Sequence, residues 1–178
     1  MRENKRTINE NRRKLADSDI TIRNNTDAML ILKSSKNGGS LYILEAYEDT
    51  DMPFEDLRSI AKNHKRMFET FKIIIEDVYC PYDDEITVED LEAVLGFRNH
   101  KKGLSDTPDT IMFDDMLLDY SVEEFERELR TFDIQLIERV MERAIYLYKK
   151  KEFSNSFKMD LLEKKLKVEY IFESIDMN

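Results

Sequence analysis

The chain has 178 residues, 41% apolar and 37% charged, with a formal net charge of −10. That length supports one domain or two small ones, and a charged fraction well above the usual quarter or so implies modest cores and a large polar surface. A single cysteine excludes an internal disulfide and a cysteine-built zinc cluster, and the acidic balance excludes a domain made to coat nucleic acid.

The charge is unevenly spread. Residues 1–16 hold Arg2, Lys5, Arg6, Arg12, Arg13 and Lys14 against Glu3 and Glu10, a net +4, so the rest of the chain carries −14. Ile8, Leu15 and Ala16 are the only aliphatic side chains there. So little apolar area does not offset the entropy of ordering, and residues 1–18 are expected to form a flexible basic arm that orders on a partner. A short helix over residues 8–16 is the alternative. The six cations are the candidate partner-binding residues. Docking on acidic neighbours, including other copies of the chain, is favoured for a −14 body; non-specific contact with nucleic-acid phosphates is the other use. The first residues lack the apolar core of a signal peptide, and no run approaches the roughly 18 apolar residues of a membrane span. No membrane contact and a cytoplasmic setting are expected.

From Ile20 the period changes to two. Ile20 and Ile22 alternate with polar residues, and Asn24-Asn25-Thr26-Asp27 is turn chemistry. Met29 to Leu32 reads as a continuously apolar strand, and Lys36-Asn37-Gly38-Gly39 as a hairpin turn. Leu41, Ile43 and Tyr47 follow on a returning strand. Asp51-Met52-Pro53-Phe54 opens a helix with Leu57, Ile60 and Ala61 at helical spacing and His64 near its end. Phe71 to Asp77 is a β-branched run expected to close one small antiparallel sheet. After a loop at Cys80–Asp84, Thr87 caps a helix over Val88–Leu95 that Gly96 stops.

Residues 98–120 read as a polar linker. Beyond it, Ser121 and Glu124 form a capping box, and Asp133 caps a helix with an apolar stripe from Leu136 to Tyr148. Ser154-Asn155-Ser156 starts a third helix, and Val168 to Ile175 ends in a short apolar segment. The expected fold is α+β: arm 1–18, a small antiparallel sheet with one packed helix over 19–97, linker 98–120, and a helical domain of about three helices over 121–178.

No catalytic, cofactor-binding or metal-binding residue is assigned. The carboxylate groups Glu76-Asp77, Asp83-Asp84-Glu85 and Asp114-Asp115 need convergence by the fold before they do acid/base or metal work, and 38 acidic residues produce such runs by composition alone. His64 and His100 have no ligand partners at zinc spacing. Cys80 has no histidine near it in sequence and reads as a small buried side chain. Neither enzymatic activity nor a cofactor is expected.

Thr21-Ile22-Arg23-Asn24-Asn25-Thr26, the glycine turn, Met52-Pro53-Phe54-Glu55-Asp56-Leu57-Arg58-Ser59-Ile60 with Asn63-His64 and Met67-Phe68, Ile73-Ile74-Ile75-Glu76-Asp77 and Val94-Leu95-Gly96-Phe97 form one arrangement. It resembles a family of small proteins encoded among the virion genes of large tailed bacteriophages, over residues 20–97 and more loosely over 121–172, where Leu162–Leu166 matches a closing helical motif. The resemblance implies a structural role in capsid, neck or tail, with other virion proteins and copies of itself as partners. It also implies location in the virion after assembly in the host cytoplasm. On this reading, removing residues 1–16 leaves the isolated protein folded. The alternative function is a phage-encoded regulator or inhibitor that binds a host protein through its acidic surface.

Overall fold

The computed structural model describes residues 2–36, 38–83, 85–97 and 107–176, with side chains for all of these except 2–6 and 176. The chain is mixed α+β and divides into two units, Met1–Lys102 and Gly103–Asn178.

In the first unit, strands β1 (Asp19–Asn24), β4 (Asp49–Pro53) and β5 (Ile73–Tyr79) form an antiparallel sheet in the order β4-β1-β5. Strands β2 (Leu30–Lys33) and β3 (Leu41–Leu44) form a separate hairpin, with Ile31 opposite Ile43. The sequence reading put all the strands in one sheet, and the Asn-Asn-Thr corner explains the difference. Asn24, Asn25 and Thr26 are buried rather than solvated. Asn24 Nδ2 donates to the carbonyls of Ala28, Leu44 and Glu45, and its Oδ1 accepts from the Thr26 amide and hydroxyl. Asn25 Nδ2 donates to Phe71 O, 2.8 Å away. The corner therefore ends β1 and turns the hairpin off the sheet.

Strand β4 corrects a second expectation. Asp51-Met52-Pro53 is expected to open a helix, yet with Asp49 and Thr50 it forms a strand that pairs with β1 from Asp19↔Pro53 to Arg23↔Asp49. Only Met52 of this strand is fully buried, so it lacks the apolar alternation that marks most strands. Pro53 then serves as the N-cap of α2 (Phe54–Asn63). Tyr47 is not on a strand but in a turn, at φ 65°. A short helix α3 (Lys65–Glu69) follows α2. Helix α4 (Val88–Leu95) has the expected ends, Thr87 as its cap and Gly96 at φ 86° as its stop, and Asp90 completes a capping box with Thr87.

The basic arm is the third correction. Arg2–Lys14 forms a helix, α1, followed by a 3-10 turn at Leu15–Asp17. Leu15 is wholly buried in the core and Ile8 packs against it. Asn11 Nδ2 donates to Asp90 Oδ1 of α4 across 2.9 Å. Ile8, Asn11 and Leu15 lie at i, i+3 and i+7, so a few residues on one helical stripe are enough to dock a segment that is polar on average. The core beneath is formed by Ile20 and Ile22 of β1, Phe54, Leu57 and Ile60 of α2, Ile73 and Ile75 of β5 and Leu91 of α4, with Phe68 stacked on Phe97 at 5.0 Å.

The second unit is helical. The three expected helices are α6 (Val122–Leu129), α7 (Ile134–Lys149) and α8 (Ser156–Leu166), capped by Ser121, Asp133 and Asn155. They are flanked by α5 (Thr110–Asp114) and α9 (Ile171–Asp176). The expected linker extended to residue 120, but α5 continues into a π-helical turn, Asp115–Asp119, and Phe113, Met116 and Leu117 are buried. Residues 98–106 lie outside the described residues. The terminal apolar segment packs through Phe172, edge-on to Tyr148, and Glu163 accepts from the amides of Ile171 and Phe172 at the start of α9.

Candidate interaction surface

The hairpin has two unlike faces. Leu32 and Leu44 point into the core, and Leu30 and Tyr42 pack at its edge. On the opposite face, alternation brings Ile31, Leu41 and Ile43 together, with Met29 preceding the first strand pair. These four are 57%, 57%, 55% and 52% exposed, in that order. A two-stranded hairpin is only marginally stable alone, so its orientation depends on what pins it.

The pin is polar as well as apolar. Asp56, in the first turn of α2, is buried; its Oδ1 accepts from Ser34 Oγ at 2.6 Å and its Oδ2 from the Tyr42 hydroxyl at 2.7 Å. Ser59, one turn further, accepts from the Ser35 amide at 2.8 Å. Residues just past β2 and within β3 are thus tied to one face of one helix. Burial, reinforced by the Asp56 carboxylate, pushes the Tyr42 phenol up to about 12. Ser34 and Asp56 resemble part of a catalytic relay. With both carboxylate oxygens engaged by hydroxyls that fasten the hairpin, the geometry is that of a clamp.

The three-stranded sheet also has an open face, and it is acidic. Asp19, Asp49, Asp51, Glu76 and Asp77 are exposed there. Arg23 pairs with Asp49 at 2.6 Å and Glu76 at 3.0 Å, and Thr21 Oγ1 donates to Asp51 at 2.6 Å.

Of the arm cations, the side chains of Arg2, Lys5 and Arg6 lie outside the described residues, while Arg12, Arg13 and Lys14 are exposed on the last turn of α1. The Lys14 ammonium meets Asp83 at 2.5 Å; that bond raises the Lys14 pKa and lowers that of Asp83. The structure does not bring the six together as one free arm, because their backbone is a docked helix. Cys80 is buried, with Sγ donating to Lys14 O at 3.4 Å, so it packs α1 against the end of β5. His64 sits between α2 and α3, and His100 and Asp84 lie outside the described residues. Both oxygens of the Asp114 carboxylate accept from one edge of the Arg143 guanidinium, from Nε at 2.7 Å and Nη2 at 2.8 Å. Among the described residues no three histidine, cysteine or acidic side chains are placed to hold a metal ion, and no helix is long and apolar enough to cross a membrane.

Among the described residues Asp56, Glu92, Arg139 and Lys158 are buried charged residues, none of them marked as such by the sequence pattern, and Asp56 and Lys158 are the deepest. Lys158 is 1% exposed; its Nζ donates to the carbonyls of Met116 and Leu117 at 3.0 and 2.8 Å, over the Phe125 ring. Burial lowers its pKa. It closes the π-helical turn, whose carbonyls lack the usual helical donors.

Comparison with models of protein families, with curated proteins and with solved structures found no match.

Proposed function

We propose that this protein acts by protein–protein contact, as a structural component of a bacteriophage virion, and that the outward face of the β2–β3 hairpin is its contact surface. The observation that carries the contact reading is the row of Met29, Ile31, Leu41 and Ile43, each more than half exposed on one face of a hairpin clamped to α2. Four such side chains amount to a patch on the order of 400 Å2, the size of the largest apolar patch on a typical monomer, which is often functional. Among the described residues of the second unit, Ile111, Leu118, Tyr120, Ile134, Phe157 and Tyr170 are also exposed, but they come from several helices and turns rather than from one paired strand face. The virion setting is supported by the resemblance over residues 20–97.

Mass spectrometry of purified particles tests the setting, and an Ile43→Lys variant tests the surface. The protein is expected in wild-type particles, and the variant is expected to fold but be depleted from them. Absence of the wild-type protein from particles overturns the virion setting, and undiminished incorporation of the variant overturns the surface.

A second reading, a regulator that binds a basic site on a host protein, is favoured by the five exposed carboxylates on the open sheet face. It predicts a one-partner complex that weakens steeply with salt and is lost on neutralising Asp49, Asp51 and Asp77, whereas contact through the hairpin tolerates both changes.

A further inference from the structure

Within the contact reading above, the hairpin face has a feature that selects its occupant. The sequence from Met29 to Leu32 is apolar on both sides of the strand, so both faces call for burial, and the fold covers only the side holding Leu32. The open side has a charge at either end. Lys33 pairs across from Leu41 at the turn end, and Glu45 follows Leu44 at the other; both are exposed. Reading along the face, a cation, an apolar middle centred on the Ile31–Ile43 pair, and an anion follow one another.

We propose that this face is the isologous interface of a homodimer, two hairpins stacking face to face about a two-fold axis perpendicular to their strands. That operation reverses strand direction and turns the face over. It lays the apolar middles on each other and sets each Lys33 toward Glu45 of the second copy, twice over. A two-fold axis along the strands places Lys33 against Leu41 instead, so charge complementarity selects the first arrangement. Stacked sheets lie roughly 10 Å apart, a span that lysine and glutamate bridge from opposite sides. Lys33 and Glu45 of one hairpin sit at opposite ends of the strands and do not serve each other.

Size sets the strength. A patch on the order of 400 Å2 per copy is about half of what a standard stable interface buries per partner, so the dimer is concentration-dependent rather than obligate. Each chain also carries −10, which opposes association at low salt.

Sedimentation velocity of the full chain, over low to high micromolar concentration at moderate salt, tests the inference. Wild-type protein is expected to rise from 21.3 kDa toward twice that mass. Ile43→Lys is expected to remain monomeric at every concentration with an unchanged circular dichroism spectrum. Lys33→Glu and Glu45→Lys are each expected to weaken association roughly fivefold, since the axis counts every change twice, and the double swap is expected to restore it. A wild type that stays monomeric throughout overturns the dimer. A double swap no stronger than either single change overturns the face-to-face arrangement. A monomeric wild type whose incorporation into particles is still abolished by Ile43→Lys leaves the contact surface standing and gives it another partner.

Discussion

Tyr42 donates its phenolic proton to Asp56 Oδ2 across 2.7 Å, and the bond ties a strand of the hairpin to the first turn of α2. The folded chain holds this phenol up to about 12, against the ordinary 10.0 of an unfolded chain. Between those values the unfolded state has lost the proton and the folded state has kept it. The group's stabilisation is therefore full below about pH 10 and is lost as pH rises toward 12, by on the order of 2 kcal/mol. Tyr42→Phe should flatten that alkaline limb and cost about 1–2 kcal/mol at neutral pH, because Asp56 loses a buried donor. Urea midpoints of both proteins from pH 7 to 11 check the slope and the offset.

Asn24 satisfies three carbonyls and receives two donors at the corner where the hairpin leaves the sheet. Asn24→Ala should cost about 2–4 kcal/mol. Asn24→Asp should cost more at neutral pH, since a buried carboxylate faces three carbonyl oxygens, and should regain stability on acidification as the carboxyl becomes a donor. Denaturant titrations of both variants at pH 7 and pH 4.5 measure the crossover.

At the amino terminus, apolar contacts outweigh charge. Leu15→Ala should destabilise the chain by about 2–4 kcal/mol, as for other fully buried leucines. Lys14→Ala, which removes an exposed ion pair with Asp83, should leave the thermal midpoint nearly unchanged. Removing residues 1–16 strips Ile8 and Leu15 from the core and should lower the midpoint strongly, opposite to what a flexible arm implies.

How much of this was legible in the sequence depends on whether the relevant force is local. Thr87, Ser121 and Asp133 announce their helices because capping is decided within four residues, and the stripe from Leu136 to Tyr148 announces by its period the burial of Leu136, Ile137, Val140, Met141 and Ala144. Strand β4 was hidden because one of its faces is solvated and acidic, leaving Met52 as its sole fully buried side chain. The docking of α1 was hidden because average polarity masks a stripe of two aliphatic residues. Asp56 and Lys158 were hidden because their partners, Ser34 and Tyr42 for one and Met116 and Leu117 for the other, lie 14 to 42 positions away in sequence. The contact face was half legible: the unbroken apolar run from Met29 to Leu32 signals two faces to be covered, and only the fold reveals which one stays open.

Lys158→Met should destabilise the helical unit by about 1–3 kcal/mol. The unbranched, uncharged side chain of similar length keeps the packing on Phe125 but leaves the carbonyls of Met116 and Leu117 without their donor. Lys158→Ala should cost more, through the added cavity. Hydrogen exchange at the amides of residues 115–120, compared among the three proteins, locates the loss in the π-helical turn.

The most direct test of the contact account is oxidation of Met29 by dilute peroxide, in the isolated protein and in its assembled state. Met29 is 52% exposed, whereas Met52 and Met116 are 1% and 0% exposed and serve as internal references. The account predicts rapid oxidation of Met29 in the dilute isolated chain and marked protection on assembly, with the two reference methionines slow in both. Equal oxidation of Met29 in both states, with assembly intact, would contradict it.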